Sequence, residues 1–191
     1  FDLTQSMWVE DVQIDGRPAT RIALAREAAR RALRALPCGS RIGWGAFTEY
    51  RSLLLLAPIE VCGNYNDLLA TLDQIDERMR WGNASEIAKG VFWALRAVKS
   101  LDPVPALVFV TDGQEAPPRD SATLPLFDDL KPGQVSGLLL GVGSATPGPI
   151  PRQDSNGQRI GFWAAADVVQ PDHGARIEHL SARQDDRLKA L

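Results

Sequence analysis

Cysteine and histidine are scarce in this chain, with two of each among 191 residues. Cys38 and Cys62 are too few and too far apart for a zinc site of the usual paired-ligand kind. His173 and His179 stand near the C-terminus and read as surface or packing residues rather than catalysts. Long apolar runs are also missing. No stretch approaches the roughly 20 residues that a membrane-crossing helix needs, and no basic-then-apolar secretory segment opens the chain. The phosphate loop ending in Gly-Lys-Ser/Thr is absent, and GVGSATPG at 141–148 lacks the third-glycine spacing of a dinucleotide fingerprint.

What is present describes a folded protein. Hydrophobic residues make up 45% and charged residues 24%, a globular balance, and 191 residues suit one domain spanning 1–191. Twenty-one Lys and Arg against 24 Asp and Glu leave a net charge of -3, so no basic surface advertises nucleic acid as a partner. The opening Phe1-Asp2 passes at once into loop-like residues, as though a strand ended there. The expectation is that further sequence, with any membrane anchor, lies upstream.

Periodicity supplies the elements. Ala25, Ala28, Ala29, Ala32, Leu33 and Leu36 recur at helical spacing, with Arg26, Arg30, Arg31 and Arg34 on a solvated opposite face. Pro37 and Gly39 end that helix. RIGWGAF at 41–47 and SLLLLAPIEV at 52–61 flank a polar turn at 48–51 and read as antiparallel strands. In such a hairpin residues 38 and 62 fall opposite each other, leaving either a cross-strand disulfide or two half-buried thiols. A bridge would indicate an oxidising compartment.

Asn64 can cap a helix running to Leu72, and Asn83 or Ser85 can start another with Ile87, Val91, Ala94, Leu95 and Val98 at helical spacing. ALVFVT at 106–111 and VSGLLLGVG at 135–143 read as buried parallel strands. A Pro-, Gly- and Asp-rich loop is expected at 144–161, and a last helix at 177–191. Strands alternating with helices predict an α/β fold with a mostly parallel sheet, helices on both faces, and sites at the carboxyl ends of the strands.

Oxygen-bearing residues gather at those ends. Asp2, Thr4 and Ser6 are spaced two apart in DLTQS, so a curling loop can aim all three at one point. Ser85 lies in GNAS before a helix, and Asp112 closes an apolar strand in FVTDG. Carboxylate and hydroxyl oxygens are the ligands that hard cations such as Mg²⁺, Ca²⁺ or Mn²⁺ accept. The plain alternative is that Asp, Thr and Ser serve here as turn formers and helix caps.

The D-x-T-x-S opening, the G-x-x-S segment and the TDG strand end, in that order, resemble the metal-ion-dependent adhesion site of von Willebrand factor A (vWA) domains. The resemblance covers essentially the whole chain. It implies a three-layer, Rossmann-like fold with one antiparallel edge strand. It also implies one divalent metal ion, with Thr4, Ser6 and Ser85 as direct ligands and Asp2 and Asp112 as the carboxylates. Thr4 stands where Ser is usual and Ser85 where Thr is usual; neither change removes an oxygen. The stretches ERMRWGNASEIAKG, LVFVTDGQEAPP and GVGSATPGPIP followed by RIGFW are similar to the vWA accessory proteins encoded with bacterial methanol dehydrogenases. That narrower likeness implies a binding module rather than an enzyme, acting in the periplasm with other vWA accessory proteins and a MoxR-type AAA+ ATPase to mature methanol dehydrogenase and insert its Ca²⁺.

Fewer than six protein ligands would leave a position on the ion for an acidic residue of a partner. Glu115 reads as an exposed loop carboxylate, with contact to the ion or a partner as the alternative. Trp81 and Phe162 read as core residues or as an apolar rim. Two rival functions are a cytoplasmic vWA partner of an AAA+ motor acting on another client, and a metal-dependent hydrolase built on Asp2 and Asp112. The first requires reduced Cys38 and Cys62, and the second requires turnover of a phosphate or ester.

Overall fold

The computed structural model describes residues 1–80, 82–117, 129–154, 158–164 and 167. Trp81, His173, His179 and the helix expected at 177–191 lie outside the described residues.

The first helix, α1 (Arg21–Ala35), forms where the periodicity places it. The Thr20 hydroxyl caps it by accepting from the Ala23 amide at 3.2 Å, and Ile22, Ala25 and Leu33 are its buried residues. Ahead of it run a single 3-10 turn at Gln5–Trp8 and a hairpin of β1 (Val12–Ile14) and β2 (Arg17–Ala19). The antiparallel hairpin of β3 (Arg41–Thr48) and β4 (Arg51–Glu60) follows, with Glu49 at a φ of 60° in its turn. Arg41 pairs with Glu60, and beyond that pair Cys38 and Cys62 form a disulfide with Cα atoms 5.2 Å apart.

Helix α2 (Tyr65–Asp73) starts after Asn64, whose amide turns back to the Glu60 carbonyl instead of capping the helix. Helix α3 (Ile87–Lys99) starts later than Asn83 or Ser85, because the Ser85 backbone is engaged in bridges to Glu49 and Ala116. The Ile87 amide is satisfied instead by the Glu115 carboxylate at 3.1 Å. Strands β5 (Leu107–Thr111) and β6 (Gly137–Gly141) pair in parallel. A final hairpin joins β7 (Pro151–Gln153) to β8 (Arg159–Phe162), within a stretch expected to be loop.

Two apolar clusters sit on opposite faces of β3. Trp44 and Ala46 pack with Leu3, Met7, Ile22, Leu33, Leu68 and Leu72, so α1 and α2 cover that face. Phe47 packs with Ile87, Ala94 and Phe109, bringing α3 and β5 to the other. The alternation follows the two-residue period of a strand.

The sheet departs from expectation. The eight strands among the described residues are distributed among four two-stranded sheets, three antiparallel and one parallel, so the mostly parallel three-layer architecture is not observed there. Between β3 and β5 the backbone link among the described residues is an isolated bridge and not a ladder: Asp2 bridges Phe47 in parallel, and the Asp2 amide donates to the Val110 carbonyl at 2.9 Å. The buried strand expected at 135–143 is likewise corrected, since Leu138, Leu139 and Leu140 are 63%, 67% and 43% exposed. Beyond β5, no described element covers them.

Gly90 is the point where α3 meets β3. A Cβ there would overlap the Phe47 ring, so Gly90→Ala is expected to destabilise the fold by about 1–3 kcal/mol in urea denaturation. The disulfide closes a loop with a sequence separation of 24, and its removal by paired Cys→Ser substitution is expected to cost about 3 kcal/mol, read as a lower denaturation midpoint.

Candidate metal centre

The segment 1–6 leaves the junction between β3 and β5 and curls into the 3-10 turn at once. Asp2, Thr4 and Ser6 are all buried there, at 0%, 2% and 3% exposure. Asp2 is the hub. Its Oδ1 accepts from the Thr4 amide at 2.9 Å and from the Thr4 hydroxyl at 2.7 Å, and its Oδ2 accepts from the Thr111 hydroxyl at 2.6 Å. The Thr4 and Ser6 hydroxyl oxygens lie 3.4 Å apart. Adjacent oxygens around a divalent ion fall about 2.8–3.7 Å apart, given metal–oxygen distances of about 2.0–2.6 Å and right-angled geometry. The spacing of this pair fits such a shell.

Asp112 belongs to the same place. Its Oδ1 accepts from the Gln114 amide at 3.0 Å, and its Oδ2 pairs with Arg21 Nη1 at 2.8 Å. Nη1 also lies 3.4 Å from the Ser6 carbonyl oxygen, so a single nitrogen ties Asp112 to the Thr4–Ser6 loop. Ser85 reaches this end of β3 by another route. Asp2 bridges Phe47 and Ser85 bridges Glu49, two residues further along, while the Ser85 amide donates to the Ala116 carbonyl at 2.6 Å. Ser85 is 4% exposed, and among the described residues its hydroxyl has no hydrogen-bond partner. Burying an unpaired hydroxyl costs on the order of 1–3 kcal/mol, so this orphan asks for a ligand.

Electrostatics give the same indication. Burial pushes the Asp2 carboxyl up to about 6, against the lowering effect of its bonds from Thr111 and Thr4, and the charge of Asp112 raises it further. Arg21 is mostly occupied elsewhere: its Nε and Nη2 hold Asp11, and that pairing keeps the Asp11 carboxyl below its ordinary range. One guanidinium is thus shared by Asp11 and Asp112. That sharing and the orphan hydroxyl both fit a cation of the hard, oxygen-preferring kind.

Other candidates separate from this group. Glu115 is committed to the start of α3 through Ile87, and Phe162 is 47% exposed with Arg159 stacked 4.4 Å over its ring. Among the described residues, His, Cys, Asp or Glu ligand atoms converge in a group of three at Cys38, Glu60 and Cys62. Its two sulfurs are bonded to each other, and Glu60 accepts from the Gly39, Cys62 and Gly63 amides. This group does not offer a free ligand set in the oxidised chain.

Three contributors were not singled out from sequence: Thr111, Arg21 and Asp11. Arg21 carried a signal. A cation at the first position of a helix opposes the helix dipole, an anomaly that calls for nearby carboxylates. Comparison with protein-family models and with curated proteins finds no match for this chain.

The raised Asp2 carboxyl has a measurable consequence. The folded chain keeps the proton up to about pH 6, whereas an unfolded chain loses it near 3.8, so this contribution to stability is complete below pH 3.8 and is lost as pH rises through 6. Without added metal, Asp2→Asn should gain on the wild type by on the order of 3 kcal/mol between pH 4 and pH 7 in urea titrations. A constant difference across that range would rule out the raised carboxyl.

Proposed function

We propose that this chain is a metal-dependent protein-binding module. Thr4, Ser6 and Ser85 supply hydroxyl ligands to one divalent ion, Mg²⁺, Ca²⁺ or Mn²⁺, and Asp2 and Asp112 supply the negative charge that holds it. An acidic side chain of a protein partner completes the coordination shell, and the ion offsets the cost of burying that carboxylate. The order of D-x-T-x-S, G-x-x-S and TDG supports a vWA-type adhesion site. The observation that carries the reading is that a buried, orphan Ser85 hydroxyl and a fully buried Asp2 carboxyl both belong to residues bridged to the same end of β3.

The finer reading is an accessory factor for a periplasmic methanol dehydrogenase, assisting its maturation and Ca²⁺ insertion together with a MoxR-type AAA+ ATPase. It rests on the similarity of the stretches at 77–90, 107–118, 141–151 and 159–163. The Cys38–Cys62 disulfide favours the periplasm over the cytoplasm, since such bonds persist in oxidising compartments. Among the described residues no helix is long and apolar enough to cross a membrane.

Ser85→Ala provides the test, because it moves two quantities in opposite directions. Without metal it should raise stability by about 1 kcal/mol through loss of the unpaired hydroxyl. In calorimetric titration with Mg²⁺, Ca²⁺ and Mn²⁺ it should weaken uptake at least tenfold, as should Asp112→Ala. Uptake equal to wild type in both variants would end the proposal, as would binding of an acidic partner that survives chelation of the ion.

A further inference from the structure

Arg21 holds the position from which a cation would neutralise Asp112. Its guanidinium splits three ways: Nε and Nη2 grip Asp11 at 3.0 and 2.6 Å, and Nη1 reaches Asp112 Oδ2 at 2.8 Å and the Ser6 carbonyl at 3.4 Å. The Arg21 and Asp112 side chains are 12% and 1% exposed, so water screens this pair poorly. Asp11 is itself fastened to the loop after β6, where its Oδ2 accepts from the Ser144 amide at 3.2 Å. Gly143, at a φ of 139°, lies against the guanidinium, with its ideal Cβ position 3.1 Å from Arg21 Nε. Arg21 thus stands between two carboxylates, one in the candidate metal centre and one outside it.

We infer that Arg21 is a resident counter-cation that competes with the divalent ion for Asp112, and that Asp11 sets the strength of this competition by drawing the guanidinium away. The inference rests on the metal site proposed above. While no ion is bound, Arg21 offsets the buried charge of Asp112 and keeps the loop intact. When an ion enters, like-charge repulsion pushes Arg21 toward Asp11 and the 143–144 loop, so occupancy is transmitted to that loop. The arrangement makes uptake weak and reversible, which suits a module that must release its partner.

Opposite substitutions give opposite results. Titrated with MgCl₂, CaCl₂ or MnCl₂ alone, Arg21→Gln should bind the ion at least tenfold more tightly than wild type, while its stability without metal falls because Asp112 loses its partner. Arg21→Lys, which keeps the charge, should stay within threefold of wild type. Asp11→Asn should bind more weakly than wild type, since Arg21 then has Asp112 alone. A purely structural role for the pair would weaken binding in both Arg21→Gln and Asp11→Asn, and that outcome overturns the inference. If wild type binds an ion in a way that Asp112→Ala abolishes, yet Arg21→Gln binds no tighter, the metal site stands and the competition does not. If neither wild type nor any variant takes up an ion, both fall together.

Discussion

The carboxylate of Asp2 is fully buried where the chain passes between β3 and β5, and the surrounding structure is arranged around that fact. Sealing a carboxylate from water is among the costlier acts in folding unless every lone pair finds a donor or the group keeps its proton. Here Thr4 folds back to give two donors, and this return bends the chain into the 3-10 turn that buries Ser6. Thr111 gives the third donor from the end of β5. A single side chain therefore sets the path of the loop and links it to β5, the strand that Asp112 follows.

Backbone and core reinforce the same junction. Leu3 and Met7, both fully buried, anchor the segment into the cluster beneath α1 and α2, while Phe47, which bridges Asp2, packs on the other face with Phe109. The hydroxyls of Thr4 and Ser6 are held by a frame with apolar packing on both sides. Such a frame fixes oxygens in position before any ligand arrives, the condition under which hard cations are recognised by geometry.

Much of this was legible in the sequence where the signal is short-range. Helix α1 and its end before Pro37, the β3–β4 hairpin about its polar turn, and the pairing geometry of residues 38 and 62 all follow from periodicity and turn chemistry. The sheet was not legible in this way. Apolar strands of the parallel type, such as Leu138 to Leu140, carry the same pattern whether or not anything covers them, and which strands pair is decided by chain elsewhere. The hairpin of β7 and β8 was hidden because proline and glycine mark turns and loops alike. At the centre, the spacing of Asp2, Thr4 and Ser6 was readable because all three lie in one loop. Arg21 and Asp11 were not singled out, because their pairing depends on how α1 is set against the residues before it.

One contact joins the last hairpin to this centre. The indole nitrogen of Trp163, just after β8, donates to Gln5 Oε1 at 2.5 Å, and Gln5 sits between Thr4 and Ser6 in the chain. Arg152 of β7 stacks 4.8 Å over the same indole. The molecule thus carries its own optical gauge: a rearrangement of the loop alters the polarity around a fluorescent ring, and in a variant whose other four tryptophans are replaced by Phe the emission of Trp163 reports it without a label.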